Sequence, residues 1–218
     1  MELLEDMRAF FAARVNGYDA HMLDEVEGCR EGYRLLAQAL PASVDTLLDL
    51  GCGTGLELEE VFRRFPAVQV TGIDLTPEML DRLRDKYPDK ALTLVQGDYT
   101  VCELGDAAFD AVISFQTMHH FAHEEKTALY RKIYRALKPG GVYVEGDYMV
   151  LEQAEEDACL AAYERLCREQ KLDAEKRFHF DRPCTVDTQL RLLKSAGFQE
   201  AEKLWRQGNT TLIRAVRD

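Results

Sequence analysis

The sequence predicts an α/β protein built on a doubly wound, mostly parallel sheet with helices on both faces. Three observations predict it. From about Val44, short apolar runs alternate with amphipathic segments, as a helix-covered parallel sheet requires. The first run ends in a glycine-rich turn. The chain closes with two strand-like stretches about Gln207-Gly208-Asn209, read as an antiparallel hairpin at the sheet edge. With 218 residues, 46% hydrophobic and 30% charged, the chain has the size and composition of one globular domain over residues 1–218.

Residues 1–42 are helical in pattern and carry Phe10, Phe11 and Tyr18, so they are expected to lie over the sheet's ligand edge. Residues 43–150 hold the strand runs VDTLLDL, AVQVTGID, ALTLVQGD, FDAVISF and GVYVEGDYMV. Helices are expected at about Leu56–Phe65, Pro77–Lys86 and His123–Leu137. The second opens Thr76-Pro77-Glu78, which reads as a hydroxyl cap, a proline in the first turn and an acid near the positive helix end. The third puts Leu129, Ile133 and Leu137 on one stripe and stops at Lys138-Pro139-Gly140-Gly141. Residues 151–184 form an inserted acidic helix, about Glu152–Gln170, and an irregular stretch, KRFHFDRPCTVD. Residues 185–218 contain a last helix ending at Ala196-Gly197 and the hairpin.

The formal charge of −12 opposes a polyanionic partner, so nucleic acid is disfavoured. No apolar run reaches the roughly 20 residues that span a bilayer. The opening MELLEDMRAF carries acids where a signal peptide carries bases. A cytoplasmic location without membrane attachment is the expectation. Cys29, Cys52, Cys102, Cys159, Cys167 and Cys184 are scattered without a CxxC pair, which fits reduced thiols.

The chemistry centres on Asp49-Leu50-Gly51-Cys52-Gly53-Thr54-Gly55, a strand running through an acid into a glycine turn before a helix. Such glycines allow close backbone approach to a ligand. The dinucleotide fingerprint GxGxxG would place a glycine or alanine where Leu56 stands, so the spacing argues against nicotinamide cofactors. The turn resembles the first motif of class I S-adenosylmethionine-dependent methyltransferases, and four further matches follow along residues 44–150. They are Asp74 ending the second strand, Gly97-Asp98-Tyr99 after the third, Phe109-Asp110-Ala111-Val112-Ile113 as the fourth, and Lys138-Pro139-Gly140-Gly141 before the fifth.

The resemblance implies a Rossmann-like seven-stranded sheet with an antiparallel last strand, binding S-adenosyl-L-methionine and releasing S-adenosyl-L-homocysteine. It implies that Asp74 binds ribose, Leu75 lies against adenine and Asp98 accepts from the adenine amine. Asp49, Gly51, Cys52, Gly53, Gly55, Met79, Tyr99 and Phe115 complete the core cofactor set. Gly17-Tyr18-Asp19 is similar to the aromatic-Asp pair of the family's N-terminal region, which adds Tyr18.

Methyl transfer needs positioning and dryness more than a nucleophile. If the acceptor must lose a proton, His120 and His119 are the candidate bases, with His123 nearby. His119 and His123 are expected to share a helical face; no fuller ligand set at metal spacing accompanies them, so no metal is assigned. The acceptor wall is expected from the N-terminal helices, Gln116–Phe121, Tyr148-Met149 and Phe178-His179-Phe180, and suits a small, partly apolar molecule. Monomer and homodimer both stay open. Gly17-Tyr18-Asp19 and the general layout are also similar to bacterial enzymes that modify the tRNA wobble uridine using carboxylated S-adenosylmethionine, the runner-up. A nicotinamide oxidoreductase and a catalytically silent cofactor-binding partner protein are the readings from other classes.

Overall fold

A computed structural model describes residues 3–173 and 176–218; Met1, Glu2, Ala174 and Glu175, which fall within the two expected covering segments, lie outside the described residues. Helices α1 (Met7–Arg14), α2 (Tyr18–Asp24) and α3 (Cys29–Ala39) precede strand β1 (Thr46–Leu50). Then come α4 (Leu58–Arg64), β2 (Gln69–Asp74), α5 (Pro77–Lys86), β3 (Leu92–Gln96) and β4 (Phe109–Phe115). A 3-10 turn at Met118–His120 leads to α6 (His123–Ala136) and β5 (Leu137–Val150). The chain ends with α7 (Gln153–Gln170), the two-residue β6 (Cys184–Thr185), α8 (Val186–Ala196), β7 (Glu200–Gln207) and β8 (Thr210–Val216).

The strand order is β3-β2-β1-β4-β5-β8-β7, with β6 pairing β5 off this path. Pairs within β1 to β5 are parallel, while β8 runs antiparallel to both neighbours. Seven strands therefore follow the expected order of layers, and β6 is an addition that periodicity did not signal. The order reverses between β1 and β4, which opens a crevice at their carboxyl ends.

Alternation along the strands feeds two cores. Leu47, Ala111, Ile113, Val142 and Val144 face one side with Leu36 of α3, Val61 of α4 and Leu83 of α5. Leu48, Val112 and Tyr143 face the other with Leu129 and Ile133 of α6 and Leu193 of α8. Such faces are what period-two strands and 3.6-period helices bury.

Several local details differ from the sequence reading. Thr76 does not cap α5 with its hydroxyl; instead Asp74 Oδ1 accepts from the Thr76 amide at 2.8 Å, because the acid two residues earlier closes the turn first. Helix α4 starts at Leu58, two residues later than expected, because the glycine turn continues through Leu56. His119 and His123 do not share a helical face: the former lies in the 3-10 turn and the latter opens α6. Helix α3 packs into the core, with Leu36 fully buried, so only α1 and α2 stand over the sheet's edge. All six cysteines are free.

Candidate active site

The glycine turn folds back on the end of β2. Gly51, Gly53 and Gly55 have φ of 71°, 47° and 72°, a region that only glycine enters at low cost. The amides of Gly51 and Cys52 donate to Ile73 O at 2.8 and 3.3 Å, and that of Gly53 donates to Asp74 Oδ2 at 2.9 Å. These amides are thus consumed inside the protein and do not form the open cradle a pyrophosphate needs.

An inner cavity lies at this crevice, lined by Gly51, Gly53, Asp74, Leu75, Met79, Asp98, Tyr99, Phe115 and His120, and closed above by Tyr18. The sequence-predicted residues that meet here come from five separate chain segments. Asp49, Cys52 and Gly55 do not line the cavity. Cys52, 1% exposed, packs beneath the turn against Gly72, and Gly55 sits against Leu83. Asp49 is fully buried behind the loop, and neither of its oxygens meets an amide, hydroxyl or amine donor.

Burial raises the Asp49 carboxyl well above its ordinary range, with Glu57 and Asp74 adding to the effect. Burial also lifts Glu57 to about 7, and raises Asp74. Three crowded carboxyls around one loop favour a positively charged ligand, which would draw them into their ionised form, and repel phosphate. Asp74 Oδ2 accepts from the Gly53 amide and Oδ1 from the Thr76 amide, and the carboxylate lines the cavity, where it can also accept from ribose hydroxyls. The residues therefore fit an adenosyl group that carries a sulfonium and an α-ammonium.

Asp98 is more occupied than the sequence suggests. Oδ1 accepts from the amide and hydroxyl of Thr100, and Oδ2 from Arg177 Nε at 3.1 Å. Burial opposes its charge, but these donors outweigh it and hold the carboxyl below the usual range. Arg177 also binds Glu125, and it was not foreseen; its segment, irregular in sequence, carries no periodic signal. Met7, Phe121, Gln116 and Thr117 are further wall residues outside the expected cofactor set.

The N-terminal segment and the stretch after α7 meet beside the cavity. Met7 N donates to Arg177 O and His179 N to Glu5 O, both at 2.9 Å, so residues at and just before the start of α1 pair with residues after α7. Helix α2 is latched to the glycine turn: Asp19 accepts from Thr54 Oγ1 and from Lys86 Nζ, the latter at 2.9 Å. This latch sets the Tyr18 ring over Gly53.

A wider outer cleft adjoins the cavity and shares Phe11, Tyr18, Gln116 and His120 with it. Its free volume is about 950 Å³ against about 70 Å³ inside. The outer cleft contains the expected wall residues of α1 and α2, His119, His120, Tyr148 and His179. Met149, Phe178 and Phe180 do not line it; Met149 is 1% exposed and Phe180 packs near Tyr163.

His119 Nδ1 lies 2.7 Å from Asp147 Oδ1, and both side chains are buried. Burial disfavours its imidazolium, yet Asp147 and Asp181 outweigh this and raise His119 to about 9. His120 goes the other way, pushed well down by burial and then by His119. Asp147 could have been found in the sequence, since it too stands toward the carboxyl end of a parallel strand. Asp181 could not, because only the folding back of its loop brings it to the histidines.

Residues 47–141 match the family model described as a methyltransferase domain. A carboxy-S-adenosyl-L-methionine synthase of Chromohalobacter salexigens is 29% identical over 78% of this chain and 67% of its own. A biotin biosynthesis bifunctional protein of Teredinibacter turnerae is 35% identical over 44% of this chain, which spans only 18% of that relative. The fold is similar to that of human N-acetylserotonin methyltransferase in complex with S-adenosylmethionine, with a TM-score of 0.64 and 20% identity, covering 95% of this chain and 55% of that one. Glycine turn, strand-end acids and strand order agree with that match, so residues 47–141 form a methyltransferase domain similar to those of class I S-adenosylmethionine-dependent enzymes.

Proposed function

We propose that this protein transfers the methyl group of S-adenosylmethionine to a small, partly apolar acceptor held in the outer cleft. The observation that carries this reading is the seam where the two cavities share Phe11, Tyr18, Gln116 and His120. A donor in the inner cavity and an acceptor in the outer one would meet there. The cofactor, when bound, supplies an already activated methyl group. The chain's task is then to bind, orient and keep water away. Asp74 holds the ribose hydroxyls, Leu75 lies against the adenine, Asp98 accepts from its amine, and Met79, Tyr99 and Phe115 pack around them. Tyr18 covers the glycine turn. His119 and His120 face the acceptor's polar group.

Acids at the outer cleft, Glu25, Glu27 and Asp181, suit a neutral or cationic metabolite better than an RNA backbone. No helix among the described residues is long and apolar enough to cross a membrane.

The inner free volume of about 70 Å³ is smaller than a ligand of adenosyl size, so α1 and the segment around Arg177 are expected to move outward on binding. Hydrogen exchange with and without S-adenosylhomocysteine tests this. Residues 5–24 and 176–180 are expected to gain protection with the glycine turn; exchange identical in both states would remove the lid.

A second reading is favoured by the relative named carboxy-S-adenosyl-L-methionine synthase, which aligns over 78% of the chain. In it the product is a carboxylated cofactor. An added carboxylate on the cofactor would call for a free cation beside it, and the arginine on the inner wall, Arg177, is already engaged by Asp98 and Glu125, which supports methyl transfer over this alternative. Mass spectrometry of the nucleoside that co-purifies distinguishes them: S-adenosylmethionine or S-adenosylhomocysteine for the first reading, the carboxylated form for the second.

A further inference from the structure

The outer cleft holds a group of side chains that methyl transfer by positioning alone does not use. His119 Nε2 lies 3.5 Å and His120 Nδ1 3.6 Å from the same oxygen, Asp181 Oδ1. The three ligand atoms all lie within 4.8 Å of one another. Both imidazoles are more than nine-tenths buried, at 6% and 5% exposure. Asp181 Oδ1 is shielded from solvent and has no hydrogen-bond partner, although the side chain as a whole is 46% exposed toward the cleft; His120 Nδ1 also lies 3.4 Å from Phe180 O, a contact it gives up on ligation.

His119 is oriented for ligation. Its Nδ1 is engaged by Asp147 Oδ1 at 2.7 Å, which leaves Nε2 as the nitrogen facing Asp181. A carboxylate behind a histidine in this way fixes its tautomer and ring direction in metal sites. Metal bonds of about 2.0–2.1 Å in a tetrahedral site put donor atoms about 3.3 Å apart, close to the 3.5 and 3.6 Å of the two histidine–carboxylate pairs. Two imidazoles and a carboxylate without a thiolate suit zinc, cobalt and neighbouring first-row ions.

A second group, His123, Glu156 and Cys184, has comparable spacing, but a lysine ammonium stands beside its cysteine and opposes a metal ion there. His123 Nε2 lies 2.9 Å from Glu156 Oε1, and Lys126 Nζ stands 3.1 Å from Cys184 Sγ and 3.3 Å from Gln189 Oε1. His179 is near the first group, 4.0 Å from Asp181 Oδ1, but its ring is stacked on Phe10 at 3.5 Å.

We propose that His119 Nε2, His120 Nδ1 and Asp181 Oδ1 bind one divalent first-row transition-metal ion at the floor of the outer cleft. Three protein ligands leave the cleft side of the ion open, as in catalytic rather than structural sites. The inference rests on the methyl-transfer reading and narrows its acceptor to molecules presenting an oxygen donor to the ion. A coordinated hydroxyl releases its proton to water more readily. The resulting oxygen lone pair forms the new bond to the methyl carbon, while the breaking carbon–sulfur bond returns its electron pair to sulfur. His119 and His120 then act on the acceptor through the ion.

The test uses the full chain, stripped with a chelator and titrated with Zn²⁺ by calorimetry and with Co²⁺ by absorption. One equivalent of each is expected, with visible Co²⁺ bands of a four- or five-coordinate site and no thiolate charge-transfer band. Asp181→Asn is expected to weaken Zn²⁺ binding at least tenfold, while Cys184→Ser leaves it unchanged. S-adenosylhomocysteine binding, measured on the same samples, is expected to survive Asp181→Asn, because Asp181 does not line the inner cavity. Absence of stoichiometric uptake, meaning that a proton alone joins His119 to Asp147 and Asp181, overturns the metal site. So does binding that survives Asp181→Asn, or that is lost in Cys184→Ser. Metal uptake by a chain that does not bind S-adenosylhomocysteine would overturn the methyltransferase reading instead.

Discussion

Replacing Asp74 separates a ligand-binding role from a structural one, because the same carboxylate serves both. Its oxygens hold the amides of Gly53 at 2.9 Å and Thr76 at 2.8 Å, and the proposed ribose contacts use its remaining lone pairs. Asp74→Ala strands two amides; at roughly 1–3 kcal/mol for each unsatisfied buried donor, partly relieved by water, the stability loss is about 2–4 kcal/mol. The ligand loses two charge-assisted bonds as well. At about 1.5 kcal/mol each, the low end for bonds to charged groups, S-adenosylhomocysteine affinity falls by about 3 kcal/mol, or roughly a hundredfold. Asp74→Asn keeps one acceptor oxygen and is expected to lose about tenfold in affinity with a smaller stability loss. Calorimetric titration of both variants, with thermal unfolding to confirm a folded chain, gives the two quantities separately. A folded Asp74→Asn protein that binds S-adenosylhomocysteine within about twofold of the unaltered chain would refute the ribose assignment and the cavity orientation built on it.

Two further substitutions probe how the sheet holds the site. Gly146→Ala would set a Cβ inside contact distance of the Phe115 ring, which Gly32 confines from the other side. Overpacking here is expected to cost about 1–3 kcal/mol in urea unfolding and to lower cofactor affinity; unchanged values of both would show that Phe115 moves freely. Asp110 accepts from Asp45 N and Thr46 N and pairs with Lys138 Nζ at 2.7 Å, tying β4 to β1. Burial opposes its charge, but Lys138 and the Thr46 donors outweigh it and lower its pKa to about 2. The folded value lies below the unfolded one, so this stabilisation is present above about pH 4 and fades as pH falls toward 2. With its side chain 25% exposed, a contribution of about 1–2 kcal/mol at pH 7 is expected after screening. Asp110→Asn should remove it and flatten the acid limb of unfolding midpoint against pH; an unaltered acid limb would assign the loss to other carboxylates.

The local chemistry of the cofactor site was legible because it is written in consecutive residues. A strand that ends in Asp49 and turns through Gly51, Gly53 and Gly55 can be read without a partner, since φ preference and strand period are properties of the segment itself. The same holds for Asp74 and Asp98 at strand ends, and for the alternation that implied a doubly wound sheet. What the sequence could not determine was which of these residues face inward toward a ligand. Asp49 and Cys52 lie behind the glycine turn because the turn folds onto Ile73 O and Asp74, contacts made across more than 20 residues. Tertiary structure alone brought Arg177 to Asp98, hydrogen-bonded the N-terminal segment to residues 177–179, and set Asp181 beside His119 and His120. Residues 176–183 have no period of their own, so their positions come from the helices and strands they cross. Those elements are ordered by burial of the two sheet faces, a property of the whole chain.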